Sequence, residues 1–371
     1  MELKAGYKQT EAGVIPNDWD EKKLGDFVAL QRGHDLTWRD RRNGNIPVFG
    51  AGGQNGFHDR AVAKGPGVVL GRSGASFGQA YYCDQDFWPH NTALYVTDFR
   101  GNDPRFVFYF LDKIDFTRYN SGGAQQSLNR NFIAPILVGV PHRPEQEAIA
   151  EALSDLDALL GGLERLVAKK RDLKQATVQQ LLTGQTRLAG FTGEWKTKQL
   201  GEMLTICHGK SQRGIETDDG IYPILATGGQ IGSTNRYLCD KPSVLIGRKG
   251  TIDQPQYMDT PFWTVDTLFY SIIKNGNSAK FLFYLFWRID WKRYNEASGV
   301  PSLNARTIEG IEVKCPGPNE QEAIAIVLTD MDAELATLEK RLTKTRDLKQ
   351  AMMQELLTGK TRLVTSEAIH A

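Results

Sequence analysis

Pro144-Glu-Gln-Glu-Ala-Ile-Ala-Glu-Ala-Leu-Ser-Asp-Leu-Asp-Ala-Leu-Leu160, continuing through Arg171-Asp-Leu-Lys-Gln-Ala176 to Leu181-Leu-Thr-Gly184, decides the fold because it occurs twice. The second copy opens at Asn319-Glu-Gln-Glu-Ala-Ile-Ala325, passes through Arg346-Asp-Leu-Lys-Gln-Ala351 and ends at Leu356-Leu-Thr-Gly359. The offset, 346 minus 171, is 175 residues, and more than half the positions from Gln146 to Leu188 are identical without a gap.

Within the first copy, apolar residues fall at Ile149, Leu153, Leu156, Leu160, Leu163 and Val167. Steps of four and three are the seam of one helix packed along another. Ile324, Leu328, Met331, Leu335, Leu338 and Leu342 hold the same places in the second copy. Two helices with matching seams in one chain are natural partners. Pro144 in a first turn, or Asn319 as a cap, followed by glutamates, marks each start. Gly184 or Gly359 marks each stop. Beyond Val167, Lys170 and Lys174 take the next seam places and the apolar line resumes at Leu173, Ala176 and Leu181, which predicts a stutter in the heptad. From Pro144 to Leu181 the rod would be ~57 Å long at about 1.5 Å per residue. Taken alone, such a pair could be a mere scaffold or dimerisation element.

The repeat extends beyond the helices, and this is what makes the chain readable. Trp19 and Leu24-Gly25-Asp26 match Trp195 and Leu200-Gly201-Glu202 at an offset of 176. Gly52-Gly53-Gln54 then matches Gly228-Gly229-Gln230, and Gly71-Arg72-Ser73-Gly74 matches Gly247-Arg248-Lys249-Gly250. After the loss of one residue, Thr92, Tyr109 and Ser127-Leu128-Asn129 match Thr267, Tyr284 and Ser302-Leu303-Asn304. Each half reads as a mixed α/β (α+β) unit ahead of its long helix, with strands at Gly67-Val-Val-Leu70, Ala93-Leu-Tyr-Val96, Ser243-Val-Leu-Ile246 and Leu268–Ile273. An aromatic helix of core character follows at Pro104–Leu111 and at Ala279–Trp287. Asn129 and Asn304 read as turns before the next strand. The segment Gln9–Trp19 resembles Gln185–Trp195, and Gly359-Lys-Thr-Arg362 resembles it too, as though two repeats were closed into a ring and cut once. With the helices antiparallel, such a chain is pseudo-two-fold symmetric.

The totals exclude more than they assert. At 371 residues the chain can hold two domains with their own cores. Forty-five basic against 44 acidic residues make any nucleic-acid contact a matter of local patches. Cys83, Cys207, Cys239 and Cys315 form no Cys-x-x-Cys and have no cysteine at their repeat equivalents, which disfavours structural zinc or a disulfide framework. The absence of a signal-peptide pattern or membrane-length apolar run leads to the expectation of a cytoplasmic protein. Phe49-Gly-Ala-Gly-Gly53 superficially suggests a methyltransferase cofactor loop, but no Asn-Pro-Pro-Tyr, Asp-Pro-Pro-Tyr or Gly-x4-Gly-Lys accompanies it. Glu312-Val-Lys314, which could mimic the end of a nuclease motif, reads better as a strand edge. No histidine pair recurs across the repeat to suggest a metal or a triad.

Gly13-Val-Ile-Pro-Asn-Asp-Trp19, Glu145-Gln-Glu-Ala-Ile-Ala150 opening a helix and Leu181-Leu-Thr-Gly184 closing it give the chain a family resemblance over nearly its whole length. It is similar to the DNA-specificity subunits of type I restriction–modification systems. The resemblance implies target-recognition domains at 1–143 and 184–318, long helices at 144–183 and 319–358, and a tail at 359–371. It implies a subunit without catalysis that binds double-stranded DNA, each domain reading half of a split target. The helix pair would set the spacer and dock two modification subunits carrying S-adenosylmethionine, with restriction subunits carrying ATP-driven translocation and cleavage. No cofactor of its own is expected. The rival expectation is a tandem-repeat coiled-coil scaffold or a glycan-binding protein.

DNA reading needs loop donors and acceptors, with Arg suited to guanine and Asn or Gln to adenine. Gln54 and Gln230 in Gly-Gly-Gln turns, and Arg72 and Arg248 directly after an apolar strand, are the candidates, set against a plain polar turn or a structural salt bridge. Ser73 opposite Lys249, and Gln125-Gln126 opposite Val300-Pro301, suggest unlike half-sites. Arg39, Arg41 and Arg42, with His208, Lys210 and Arg213 in the second half, are candidate phosphate contacts, against solvated loop charge.

Overall fold

A computed structural model describes residues 3–122 and 126–364. In chain order its helices are α1 (Leu24–Phe27), α2 (Pro104–Lys113), α3 (Arg130–Ile133), α4 (Arg143–Leu181), α5 (Leu200–Met203), α6 (Ala279–Arg288), α7 (Ala305–Glu309) and α8 (Pro318–Leu356). The second four repeat the first four, and α4 and α8 are each 39 residues long. Pro318 occupies the first helical position of α8, where its missing N–H leaves no bond unmade. Asn319, expected as the cap, is therefore the second residue of the helix. Both helices end before a glycine in the left-handed region, Gly184 at φ 69° and Gly359 at φ 70°.

The chain divides into two compact units, residues 1–164 with 340–371, and residues 165–339. Each unit takes one half of each long helix. In unit 1 a four-stranded antiparallel sheet runs in the order Ala29–Arg32, Ala93–Asp98, Gly67–Gly71, Ala80–Cys83. A second sheet sets Ile46–Gly50 between Gly53–His58 and Trp88–Pro89. Unit 2 repeats both, as Leu204–His208, Leu268–Ile273, Ser243–Gly247, Gln256–Met258, and as Gly229–Thr234, Tyr222–Ala226, Trp263–Thr264. Glu312–Cys315 pairs with Lys196–Gln199, the strand expected from Glu312-Val-Lys314.

The buried strand Gly67–Gly71 explains how two cores share one backbone. Successive side chains leave opposite faces of a strand. Val68 and Leu70 accordingly join the core built on Phe106, Phe110 and Ile149, whereas Val69 joins Phe49, Phe87 and Tyr95 in the other. In unit 2, Val244 and Ile246 face the large core and Leu245 faces Leu225, Phe262 and Leu268. The aromatic helices supply core as expected, except that Trp287 at the end of α6 stays about half exposed.

Within unit 1 the halves of α4 and α8 are antiparallel, since Asp157 pairs with Lys349 at 2.6 Å and the later Glu164 with the earlier Arg346 at 2.6 Å. Unit 2 has the same sense, with Lys170–Glu334 at 2.7 Å, Lys174–Asp332 and Arg171–Glu339 at 2.5 Å. These pairs overturn the expected stutter. Leu173 is 51% exposed, as is its counterpart Leu348, so the apolar line does not resume there. The heptad continues unbroken through Lys170 and Lys174 to Leu181, because each lysine reaches an acid on the facing helix. Of the other seam positions, Ile149, Leu153, Leu163, Ile324, Leu328 and Leu335 are buried, while Leu156, Leu160, Met331 and Leu338 are half-buried.

One junction in each unit ties the domain to both long helices. Tyr109 of α2 donates its hydroxyl to Asp157 of α4 at 2.6 Å, and Lys349 of α8 grips the same carboxylate while lying over the tyrosine ring. Tyr284, Asp332 and Lys174 repeat the arrangement in unit 2. Burial, then the neighbouring carboxylate, pushes both phenols well above their ordinary range.

The chain's ends close on each other within unit 1. Arg362 pairs with Glu145 at 2.6 Å and Asp18 at 2.8 Å, and Trp19 donates its indole N–H to Glu145 at 2.9 Å. Arg187, Glu320 and Trp195 build the counterpart in unit 2, where the chain is continuous. The terminal resemblance thus corresponds to one joint made twice, once through an unbroken chain and once across its two ends.

Candidate nucleic-acid interface

The polar loops converge at one end of the sheets in each unit. Gly71 allows this in unit 1, because a Cβ there would lie 2.0 Å from the Ser76 carbonyl oxygen and 2.6 Å from that of Ala51. The turn Gly50–Gly53 can therefore rest against the loop that follows the buried strand. Thr92 joins both, accepting from the Ala51 amide at 3.1 Å with its hydroxyl and from the Arg72 amide at 3.1 Å with its carbonyl. Leu128 then donates its amide to the Arg72 carbonyl at 2.8 Å, and Ser73 bridges to Ser127. Gln54 stands exposed just beyond the turn. Thr92 thus ties the turn that precedes Gln54 to the loop that carries Arg72 and Ser73. Gln125 lies outside the described residues.

Unit 2 has the same frame with different contents. Gly247 would bring a Cβ to 2.0 Å from the Thr251 carbonyl oxygen. Thr267 receives the Arg248 amide at 2.8 Å, Leu303 donates to the Arg248 carbonyl at 2.9 Å, and Lys249 bridges to Ser302. Gln230 follows its turn, exposed, and bends back to the Gly232 carbonyl at 3.2 Å. The salt bridge weighed for the two arginines is not what holds them. Arg72 donates through Nε to the Leu128 carbonyl at 3.2 Å, and Arg248 donates to the Asp266 carbonyl at 3.2 Å. Each keeps most of its five N–H donors.

The flanking cations are less uniform. Arg41 is fixed to the hairpin by the Asn55 carbonyl at 2.8 Å, Arg42 stands 3.9 Å from Asp59, and Arg39 lies over the Trp38 ring at 5.3 Å. Lys210 is exposed, with its backbone pinned by Thr264 at 2.9 Å and by the Trp263 indole at 2.9 Å. Arg213 is exposed on the next turn. Sequence reasoning passed over Trp38, which is 81% exposed, although its place in Trp38-Arg39-Asp40-Arg41-Arg42 was a signal. It also missed Asn55, whose role emerges only once the hairpin folds.

The profile of the family described as Type I restriction modification DNA specificity domain matches residues 16–169 and again 192–345. The chain belongs to this family. The two matches fall at corresponding places in the repeat. A family relative, the type I restriction enzyme MjaVIII specificity subunit of Methanocaldococcus jannaschii, is 20% identical over 96% of this chain and 96% of its own length. The type I restriction enzyme EcoDI specificity subunit of Escherichia coli is 27% identical over 44% of this chain and 37% of that one. Among solved structures, the type I restriction–modification S subunit from M. genitalium matches with a TM-score of 0.69 at 18% identity, covering 96% of this chain and 98% of that one. That likeness establishes the shared fold. Among the described residues there is no helix long and apolar enough to cross a membrane and no histidine, cysteine or carboxylate cluster suited to a metal ion. All four cysteines are free.

Proposed function

We propose that this chain is the DNA-specificity subunit of a type I restriction–modification complex, each unit reading one half of a split double-stranded target. The observation that carries this is the pairing of a common frame with unlike contents. Gly-Arg-x-Gly, Gly-Gly-Gln and Ser-Leu-Asn are placed alike in the two units, while unit 1 has Ser73 where unit 2 has Lys249. A common frame keeps the register on the duplex, and differing side chains on it select different bases. Arg72, Arg248, Gln54 and Gln230 are assigned to bases or the adjoining backbone, and Arg39, Arg41, Arg42, Lys210 and Arg213 to phosphates.

The subunit acts in the cytoplasm and carries no catalysis itself. Two modification subunits supply S-adenosylmethionine chemistry, and restriction subunits supply ATP-driven translocation and cleavage. The helix pair is their dock and the spacer between half-sites. Family membership supports this reading over the scaffold or glycan-binding alternative.

A gel-shift selection from a randomised duplex pool, with the modification subunits present, tests it. Enrichment of two short motifs at fixed separation is expected. A pool that stays random after several rounds would return the chain to the scaffold class.

A further inference from the structure

Unit 1 holds an open polar cleft of about 680 Å³ whose walls carry Arg32, Arg72 and Arg130. Arg32 and Arg130 belong to none of the loops discussed above. Arg32 ends the edge strand Ala29–Arg32, and Arg130 is the first residue of α3. Each of the three guanidiniums is steadied by one bond to a main-chain carbonyl: Arg32 to Asn91 at 3.4 Å, Arg72 to Leu128 at 3.2 Å and Arg130 to Leu30 at 3.4 Å. The remaining donors are uncommitted apart from the approach of Arg32 to Asp35 at 3.7 Å. Asp35 is the one carboxylate in the lining, and it also accepts from the Asn91 amide group. Three guanidiniums against one carboxylate leave two positive charges in excess.

Like charges lining one cleft repel unless an anion joins them. Three planar forks brought to one cleft by different elements suit the several oxygens of a phosphate, where one fork would suit a flat base edge. The cleft continues from the Arg72–Ser73 loop, so a strand whose bases lie against that loop brings its backbone past Arg32 and Arg130. In unit 2 the equivalent positions are His208, Arg248 and Ala305, which leaves a single guanidinium.

Resting on the DNA-specificity reading, we propose that Arg32, Arg72 and Arg130 clamp a backbone phosphate of the DNA half-site bound by unit 1. Arg72 is then shared between phosphate and base, and the two units hold their half-sites by unequal numbers of phosphate contacts. Arg32 and Arg130 contribute grip without sequence preference.

The test uses the full chain assembled with its modification subunits and a duplex carrying the selected target. Replacing single phosphates of that duplex by neutral methylphosphonates, one at a time, removes a contact without altering the protein. One linkage in the half-site of unit 1 should weaken wild-type binding severalfold and leave the Arg32→Ala/Arg130→Ala variant indifferent. The same variant should lower the slope of log K against log salt by about 1 while the selected motif stays the same. The clamp is wrong if every methylphosphonate affects wild type and variant alike, or if the variant changes the preferred bases at an unaltered salt slope. Failure of the wild-type complex to prefer any duplex overturns the clamp together with the reading beneath it.

Discussion

Arg248 is held by one carbonyl on a loop shaped by Gly247, with its other donors toward solvent. Arg248→Ala should therefore weaken binding by about 1–3 kcal/mol through one half-site alone. Competition titrations against duplexes altered in one half or the other measure this; an equal effect through both halves contradicts the assignment. The Gly-Arg-x-Gly frame was legible because its first glycine recurs at a close backbone approach, where a Cβ at either Gly71 or Gly247 would collide with a carbonyl. Arg32 and Arg130 were not legible. They stand 98 residues apart, 130 minus 32, and share a cleft only after strands far apart in sequence have paired.

The helix seam was legible through Val167 and misread beyond it. Lysine at a seam position looks like an interruption when only apolar spacing is counted, yet Lys170 and Lys174 face Glu334 and Asp332. Leu173→Gln should thus leave the urea midpoint almost unchanged, whereas Leu163→Ala, at a buried seam position, should cost about 2–5 kcal/mol. A large loss for Leu173→Gln would restore the stutter. The Tyr–Asp–Lys junctions make a further demand. Tyr284→Phe removes a hydroxyl donated to Asp332 and should cost about 1.5–3 kcal/mol, the range for a hydrogen bond to a charged group. Thermal melts of the variant, compared with Tyr109→Phe in the other unit, show whether the duplicated junctions matter alike.

At the scale of the molecule, the duplication was visible in the sequence, and so was the likeness of its ends. What sequence could not supply was their chemistry, because Arg362 meets Asp18 and Glu145 only after the chain has folded back. Arg362, chiefly by hydrogen bonding, holds the Asp18 carboxyl below its ordinary value. A carboxylate depressed in the fold adds stability that is complete above its unfolded value, near 3.8, and is lost as pH falls through the folded one. Arg362→Met should accordingly lower the melting temperature at pH 7, and the difference from wild type should shrink as the pH drops below about 4. Seven residues inserted into both long helices, after Lys170 and after Thr345, preserve the heptad and add about 10 Å at ~1.5 Å per residue. On the spacer proposal the target should lengthen by about three base pairs at ~3.4 Å each. The central claim is tested most directly by methylome sequencing of a host carrying this gene and its modification partner, beside the same host without this gene. The account predicts one methylated motif that appears only with the gene and consists of two short, unlike halves separated by a fixed run of unspecified bases. A methylome unchanged by the gene, or a gene-dependent motif that is continuous, would contradict it.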